Sequence, residues 1–183
     1  IGVGMGITGT DVTKNTADMV LADDNFATIV AAVGEGRRIY DNIRKCIQFL
    51  LSSNLAEVVA IFVATMCGFT LLKPAHLLWI NLVTDTIPAI ALGAERAEKD
   101  IMSRAPRSKN EGIFAHGLGL NVALHGVFVA LITLAAYFVG VYMENGFIEF
   151  VDGHNAQGIT MAFLTMSMTE IFHAYNNRSS EHS

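Results

Sequence analysis

The chain has 183 residues, of which 52% are hydrophobic and 16% charged, and its formal net charge is -5. Soluble domains run at about 45–50% apolar and about 25% charged, so this composition excludes an ordinary soluble domain and points to an integral membrane protein. The weak acidic balance offers no basic footprint for nucleic acid; the expected surroundings are a lipid bilayer.

Residues 1–33 read as soluble. IGVGMGITGT is rich in glycine and suggests a turn, or a loop near a phosphate. Asp11 is placed to cap a short helix, Val12 to Ala17. MVLADDN then reads as a short buried strand and a turn, with Asp24 or Asn25 capping the next helix. From Phe26 to Cys67 no proline interrupts, and one long helix is expected. Its polar part, 34–45, reads as a stalk, and Cys46–Cys67 is apolar enough to span a membrane, which takes about 20 residues. Cys46 and Cys67 lie about 30 Å apart on that helix at 1.5 Å per residue, too far to bridge, and read as packing residues.

Gly68 to Pro74 is a short connection, and a second span follows over about Ala75–Leu92. Trp79 lies inside the usual interfacial belt and is expected to pack between helices. Residues 94–114 are a charged loop. A third span covers about Gly117–Tyr142 and carries no charge. An acidic loop, 143–157, leads to a fourth span at about Gly158–Tyr175 and a polar tail, 176–183. All Lys and Arg except Lys73 fall in the N-terminal region and stalk, the 94–114 loop or the tail. The positive-inside rule therefore places those regions in the cytosol. The expected fold class is mainly α: a polytopic membrane protein with four transmembrane helices and a small α/β piece of a cytosolic domain at the N-terminus.

Glu57, Asp85 and Glu170 fall within three different spans. A charged side chain at mid-membrane costs about 2.5–3.5 kcal/mol on insertion scales and usually marks an ion or proton path; the plainer alternative is a buried acid bonded to neighbouring helices. Asn54 and Glu57 share a helix face at i, i+3, and Asn81, Thr84 and Asp85 share another at i, i+3, i+4. Two such helices facing each other would present an all-oxygen ligand set, which suits a hard cation such as Ca²⁺ and not a soft one. Pro88 cannot donate to the Thr84 carbonyl, which frees a backbone oxygen inside the cluster, a device used in transporters. His76, His116, His125 and His173 are scattered without metal-ligand spacing. Packing or a helix–helix hydrogen bond is the expected role of His125, with a proton-linked role the alternative.

SSNLAEVV, LLWINLVTDTIPAIALG and IMSRAPRS resemble the P-type ATPases, in particular the calcium pumps of the sarcoplasmic-reticulum type. IGVGMGITGTDVTKNTADMVLADDNFATIVAAVGEGRRIYDNI is similar to the end of that family's phosphorylation domain and the stalk of its fifth membrane helix. The resemblance implies a fragment of a longer pump. Residues 1–33 would end the phosphorylation domain, with 34–45 the stalk. Helices five and six would occupy 46–93, the coupling loop 94–114, helices seven and eight 115–175, and a cytosolic tail 176–183. It implies Asn54, Glu57, Asn81, Thr84, Asp85 and Glu170 as ligands of transported Ca²⁺, with Pro88 as helix-breaking support. No DKTGT, TGES or GDGxND motif is present, so no catalytic residue is expected here. ATP and Mg²⁺ would act on the parent protein, and the chain's partner would be the remainder of the same pump. A bacterial plasma membrane is the expected location. A pump for Mn²⁺, Na⁺ or H⁺, or a stand-alone four-helix channel or assembly protein, are the competing readings.

Overall fold

The computed structural model describes residues 1–108, 111–115, 117–148 and 155–178. The readings of His116, of Glu149 and Asp152 in the acidic loop, and of the tail from 179 lie outside the described residues. The chain divides into two compact units, one of residues 1–41 with 96–106 and the other of 42–95 with 107–183.

The first unit begins with a β-α-β turn of chain. Strand β1 (Val3–Met5) pairs in parallel with β2 (Met19–Leu21), Val3 opposite Met19 and Met5 opposite Leu21. Helix α1 (Asp11–Thr16) makes the crossover that parallel strands require. Its cap is Thr10 and not Asp11: the Thr10 hydroxyl accepts the Thr13 N–H, while Asp11 is already helical. Gly6 and Gly9 are there because backbone passes too close for a side chain. A Cβ on Gly6 would meet the Leu21 carbonyl at 2.5 Å, and one on Gly9 would meet the Met5 carbonyl at 2.1 Å.

Asp24 closes this unit. It sits in the left-handed region with φ 51°, and its carboxylate accepts Ile7 N–H, Thr8 N–H and the Thr8 hydroxyl at 2.7–2.8 Å. Those bonds, led by the one from Ile7, pull its pKa down to about 2. Asn25, the other expected cap, accepts Ala27 N–H at the start of helix α2 (Ala27–Cys67). Within the same unit Arg37 donates to the Ile101 and Arg104 carbonyls at 2.8 Å each. The Arg104 guanidinium forks onto Asp41, Glu98 and Asp100; Asp100 above all, then Glu98, raises its already high pKa.

The second unit is helical. The remainder of α2 is followed by α3 (Pro74–Trp79), a π-helical turn (Ile80–Asp85) and α4 (Thr86–Gly93), which together form one interrupted rod. Helices α5 (Leu118–Asn145) and α6 (Ala156–Asn176) complete it. Ala56, Ala60 and Ala64 recur every fourth residue on α2 and are 0–2% exposed, packed with Ile80, Ala130 and Ala162. Small side chains let helix backbones approach where lipid supplies no hydrophobic drive. Gly140 of α5 and Gly158 of α6 make the tightest approach: a Cβ on Gly140 would lie 2.7 Å from the Gly158 Cα.

Three helical stretches are long and apolar enough to cross a membrane: Ala27–Cys67, Pro74–Gly93 and Leu118–Asn145. Helix α6 has 21 residues but falls outside that set, because Thr160, Thr165, Ser167, Thr169, Glu170 and His173 dilute its apolar character. Trp79 does not pack between helices in this chain. It is 53% exposed, next to Leu78 at 72% and near Leu82 at 70%, on an outward apolar face. Cys67 is exposed and Cys46 half-buried, its Sγ 3.2 Å from the Ala89 carbonyl; neither forms a disulfide.

Candidate cation site

The buried carboxylates and the side chains bonded to them come from α2, the π turn and α6. On α2, Glu57 is 7% exposed. Both of its carboxylate oxygens accept from Asn81 Nδ2 at 3.1 Å, and the same nitrogen donates to the Leu77 carbonyl at 3.0 Å. On the π turn, Thr84 and Asp85 are 5% and 2% exposed. The Thr84 hydroxyl is shared between two acceptors, the Ile80 carbonyl at 2.9 Å and Glu170 Oε2 at 2.7 Å. Glu170, on α6, is 1% exposed, so it does not reach the interface although it lies toward the end of its helix.

The π turn follows from local chemistry. Pro88 has no N–H for the Thr84 carbonyl, so regular α-helical bonding cannot run through this stretch. The Thr86 hydroxyl donates to the Asn81 carbonyl at 2.8 Å, five residues back. Such π insertions in helices are frequent at functional sites, and this one turns Thr84 and Asp85 inward together.

Burial leaves a deficit of hydrogen bonds here. Neither oxygen of Asp85 has a hydrogen-bond partner among the described residues, and Glu170 Oε1 also lacks one. The Ser53 hydroxyl lies beside Asp85 without a bond of ordinary geometry. Asp85 and Glu57 lie within electrostatic reach of each other, as do Glu170 and both of them. Buried polar groups are normally paired, and like charges in low dielectric repel strongly. A cation, protons or ordered water would relieve both.

The structure therefore brings Glu57, Asn81, Thr84, Asp85 and Glu170 to one region and leaves Asn54 apart. Asn54 is exposed, and its Nδ2 donates to the Leu50 carbonyl at 2.7 Å on its own helix. Among the described residues no three His, Cys, Asp or Glu side chains form a closed metal-binding group.

Residues 69–183 match the family described as "Cation transporting ATPase, C-terminus". The chain belongs to this family of cation-transporting ATPases. It is an integral membrane protein, as the family and its apolar helices require. It is 44% identical over 190 residues to "Calcium-transporting ATPase 1" of Bacillus cereus, covering 98% of this chain and 21% of the relative. It is also 44% identical over 180 residues to "Calcium-transporting ATPase" of Bacillus subtilis, covering 98% of this chain and 19% of the relative. Against "Calcium-transporting ATPase 4, endoplasmic reticulum-type" of Arabidopsis thaliana it is 43% identical over 159 residues, covering 85% of the chain and 15% of the relative. The chain thus spans about a fifth of the length of such relatives.

A second buried polar group escaped the sequence reading. The His173 Nε2 lies 3.0 Å from the Ser52 hydroxyl and 3.0 Å from Asn177 Nδ2. Ser52 is 1% exposed and His173 is 6% exposed. The only signal in the sequence was spacing, since His173 follows Glu170 by three residues and Ser52 interrupts an apolar run.

Proposed function

We propose that this chain is the membrane transport portion of an ATP-driven calcium pump, and that Asn54, Glu57, Asn81, Thr84, Asp85 and Glu170 are ligands of the transported Ca²⁺. The observation that carries the reading is Asp85, 2% exposed with neither carboxylate oxygen partnered among the described residues, on a π turn that follows from Pro88. A carboxylate buried at such cost fits a place where a cation comes and goes. The carboxylates of Glu57, Asp85 and Glu170 and the Thr84 hydroxyl are oxygen ligands, the ligand chemistry of Ca²⁺, and the similar proteins named above are called calcium-transporting ATPases. The carboxylates and carboxamides bind the ion, and Pro88 holds the Thr84 carbonyl available. Asn54, exposed in this chain, completes the set with groups contributed from elsewhere in the pump.

In this reading α6 is a fourth membrane-spanning helix, kept in the bilayer by packing its polar face on α5 and the π turn. Residues 1–33 end a cytosolic phosphorylation domain, and 34–45 form the stalk through which its changes reach the site. The 94–114 loop couples the two. The N-terminal region, that loop and the tail face the cytosol. ATP and Mg²⁺ act on the remainder of the pump, which is the chain's partner. A bacterial plasma membrane suits the compact loops.

The test is ion-stimulated ATP hydrolysis by the full-length pump carrying Glu57→Gln or Asp85→Asn. Each substitution is expected to weaken Ca²⁺ activation, with Mn²⁺, Na⁺ and H⁺ assayed beside it. Unchanged calcium dependence in both variants would refute the site; activation by one of the other ions alone would reassign the cargo.

A further inference from the structure

Within the second unit, two buried donors of α2 meet the chain where it leaves α4 and where it leaves α6. Asn42 is 3% exposed and Lys45 9%, and at i, i+3 they share a helix face. Asn42 Nδ2 donates to the Gly93 carbonyl at 3.1 Å and to the Glu95 carbonyl at 2.8 Å. Lys45 Nζ donates to the Arg178 carbonyl at 2.7 Å. Gly93 is the last residue of α4, and its carbonyl is one of those that find no partner within their own helix. Glu95 and Arg178 lie just past the ends of α4 and α6. The Arg178 guanidinium in turn forks onto the Glu95 carboxylate at 3.0 and 3.1 Å. Asn42, Glu95, Arg178 and Lys45 thus close a ring that joins the C-terminal ends of α4 and α6 to α2.

We propose that this ring positions the cation site from a distance, with Asn42 and Lys45 as positioning residues that hold α4 and α6 at a fixed height on α2. The register supports this role. Gly93 follows Asp85 by eight residues, and Arg178 follows Glu170 by eight. At 1.5 Å per residue that is roughly 12 Å along each helix, so the two carboxylates stand equally far from the points where their helices are tied. Helix α2 runs unbroken from Ala27 to Cys67, so the same ties fix both carboxylates relative to Glu57. A one-residue slip of either helix end would move its carboxylate by about 1.5 Å. Ca²⁺–oxygen bonds tolerate only about 2.3–2.6 Å, so such a slip would cost a ligand.

The chemistry of the ring suits holding rather than binding. Burying an ammonium is unfavourable unless its hydrogen bonds are met, and an apolar side chain at Lys45 would fill the space without that cost. A cation at a helix C-terminus is favoured by the helix dipole, and Lys45 brings that preference to α6 from another helix. Asn42 bridges two carbonyls and so fixes the chain as it turns out of α4. Asn42 and Lys45 precede Glu57 by fifteen and twelve residues, about 22 and about 18 Å along α2. They act through the helices and are not ligands.

The ring rests on the transport reading. The experiment measures ATP hydrolysis by the full-length pump against Ca²⁺ concentration, per folded molecule. Lys45→Met and Asn42→Leu each keep the volume and lose the donor. Each is expected to raise the half-saturating Ca²⁺ concentration about three- to tenfold, with turnover at saturating Ca²⁺ near that of the unsubstituted pump. Lys45→Arg, which keeps a charged donor, is expected to stay within about twofold. The double variant should lose less than the product of the two single losses, because both act through one ring. Arg178→Glu should also weaken Ca²⁺ activation, and adding Glu95→Arg should restore it. Fewer folded molecules with an unchanged half-saturating Ca²⁺ concentration would overturn the positioning role, as would a Lys45→Arg pump as impaired as Lys45→Met. Where Lys45→Met gives no folded pump, the charge exchange decides: Arg178→Glu with wild-type half-saturation, or no recovery on adding Glu95→Arg, overturns the ring. Failure of the transport reading looks different, because Glu57→Gln and Asp85→Asn would then keep their calcium dependence. Failure of the ring alone leaves those two impaired and Lys45→Met unaffected.

Discussion

Replacing Thr84 with Val removes the hydroxyl and nearly preserves shape. The hydroxyl is 2.7 Å from Glu170 Oε2, and the other oxygen of that carboxylate has no partner among the described residues. Glu170 is 1% exposed, so bulk water does not reach it to replace the lost bond. Hydrogen bonds to charged groups contribute about 1.5–3 kcal/mol net, which at 1.4 kcal/mol per decade is roughly 10- to 100-fold in affinity. Thr84→Val in the full-length pump is therefore expected to raise the half-saturating Ca²⁺ concentration of ATP hydrolysis by roughly that factor. Thr84→Ser, which keeps the hydroxyl, should remain within a few-fold. A double-mutant cycle isolates the contact. In a Glu170→Ala background most of the Thr84→Val effect should vanish. Equal losses in both backgrounds, or a Ser variant as impaired as the Val variant, would refute the pairing as the cause.

Asp24 titrates near 2 because Ile7 N–H and Thr8 favour its ionised form. Its folded pKa lies below the ordinary value, so the stabilisation is present above about 4 and is lost as pH falls through about 2. Amide exchange at Ile7 and Thr8 should accelerate selectively in that range, and in Asp24→Ala at every pH; a flat pH profile would refute the clip. Gly140→Ala should destabilise the α5–α6 pair by about 1–3 kcal/mol, because its Cβ would meet Gly158 backbone at 2.7 Å. Gly36→Ala, with nothing within 4 Å of the added Cβ, should instead stabilise α2 by about 0.5–1 kcal/mol. Thermal unfolding of the two variants should therefore shift in opposite directions.

Hydrophobic runs, the lone proline in the second span and the spacing of its polar residues were legible without any tertiary contact, since helix length and face are local properties. The long α2, the interrupted α3–α4 rod and the inward trio of Glu57, Asp85 and Glu170 follow from them. Local signals misplace whatever depends on a competing neighbour. Thr10 caps α1 because its hydroxyl reaches Thr13, although Asp11 is an equally good capping residue type. Asn54 shares a helix face with Glu57 by spacing, yet it is exposed and its amide turns back to the Leu50 carbonyl. The glycines of residues 1–10 could be read as a phosphate loop or a turn. Only the pairing of β1 with β2 shows Gly6 sitting against the Leu21 carbonyl.

The residue types of the candidate site are written in the chain: oxygen donors at helical spacing around a proline that cannot bond. Which of those oxygens are starved of partners was decided by tertiary structure alone. Hydrogen-bond satisfaction depends on what other helices bring, and burial turns an unmet bond from negligible to costly. Thr84 shared with Glu170 and His173 set between Ser52 and His125 are contacts between segments far apart in sequence, and Asp85 meets no hydrogen-bond partner among the described residues.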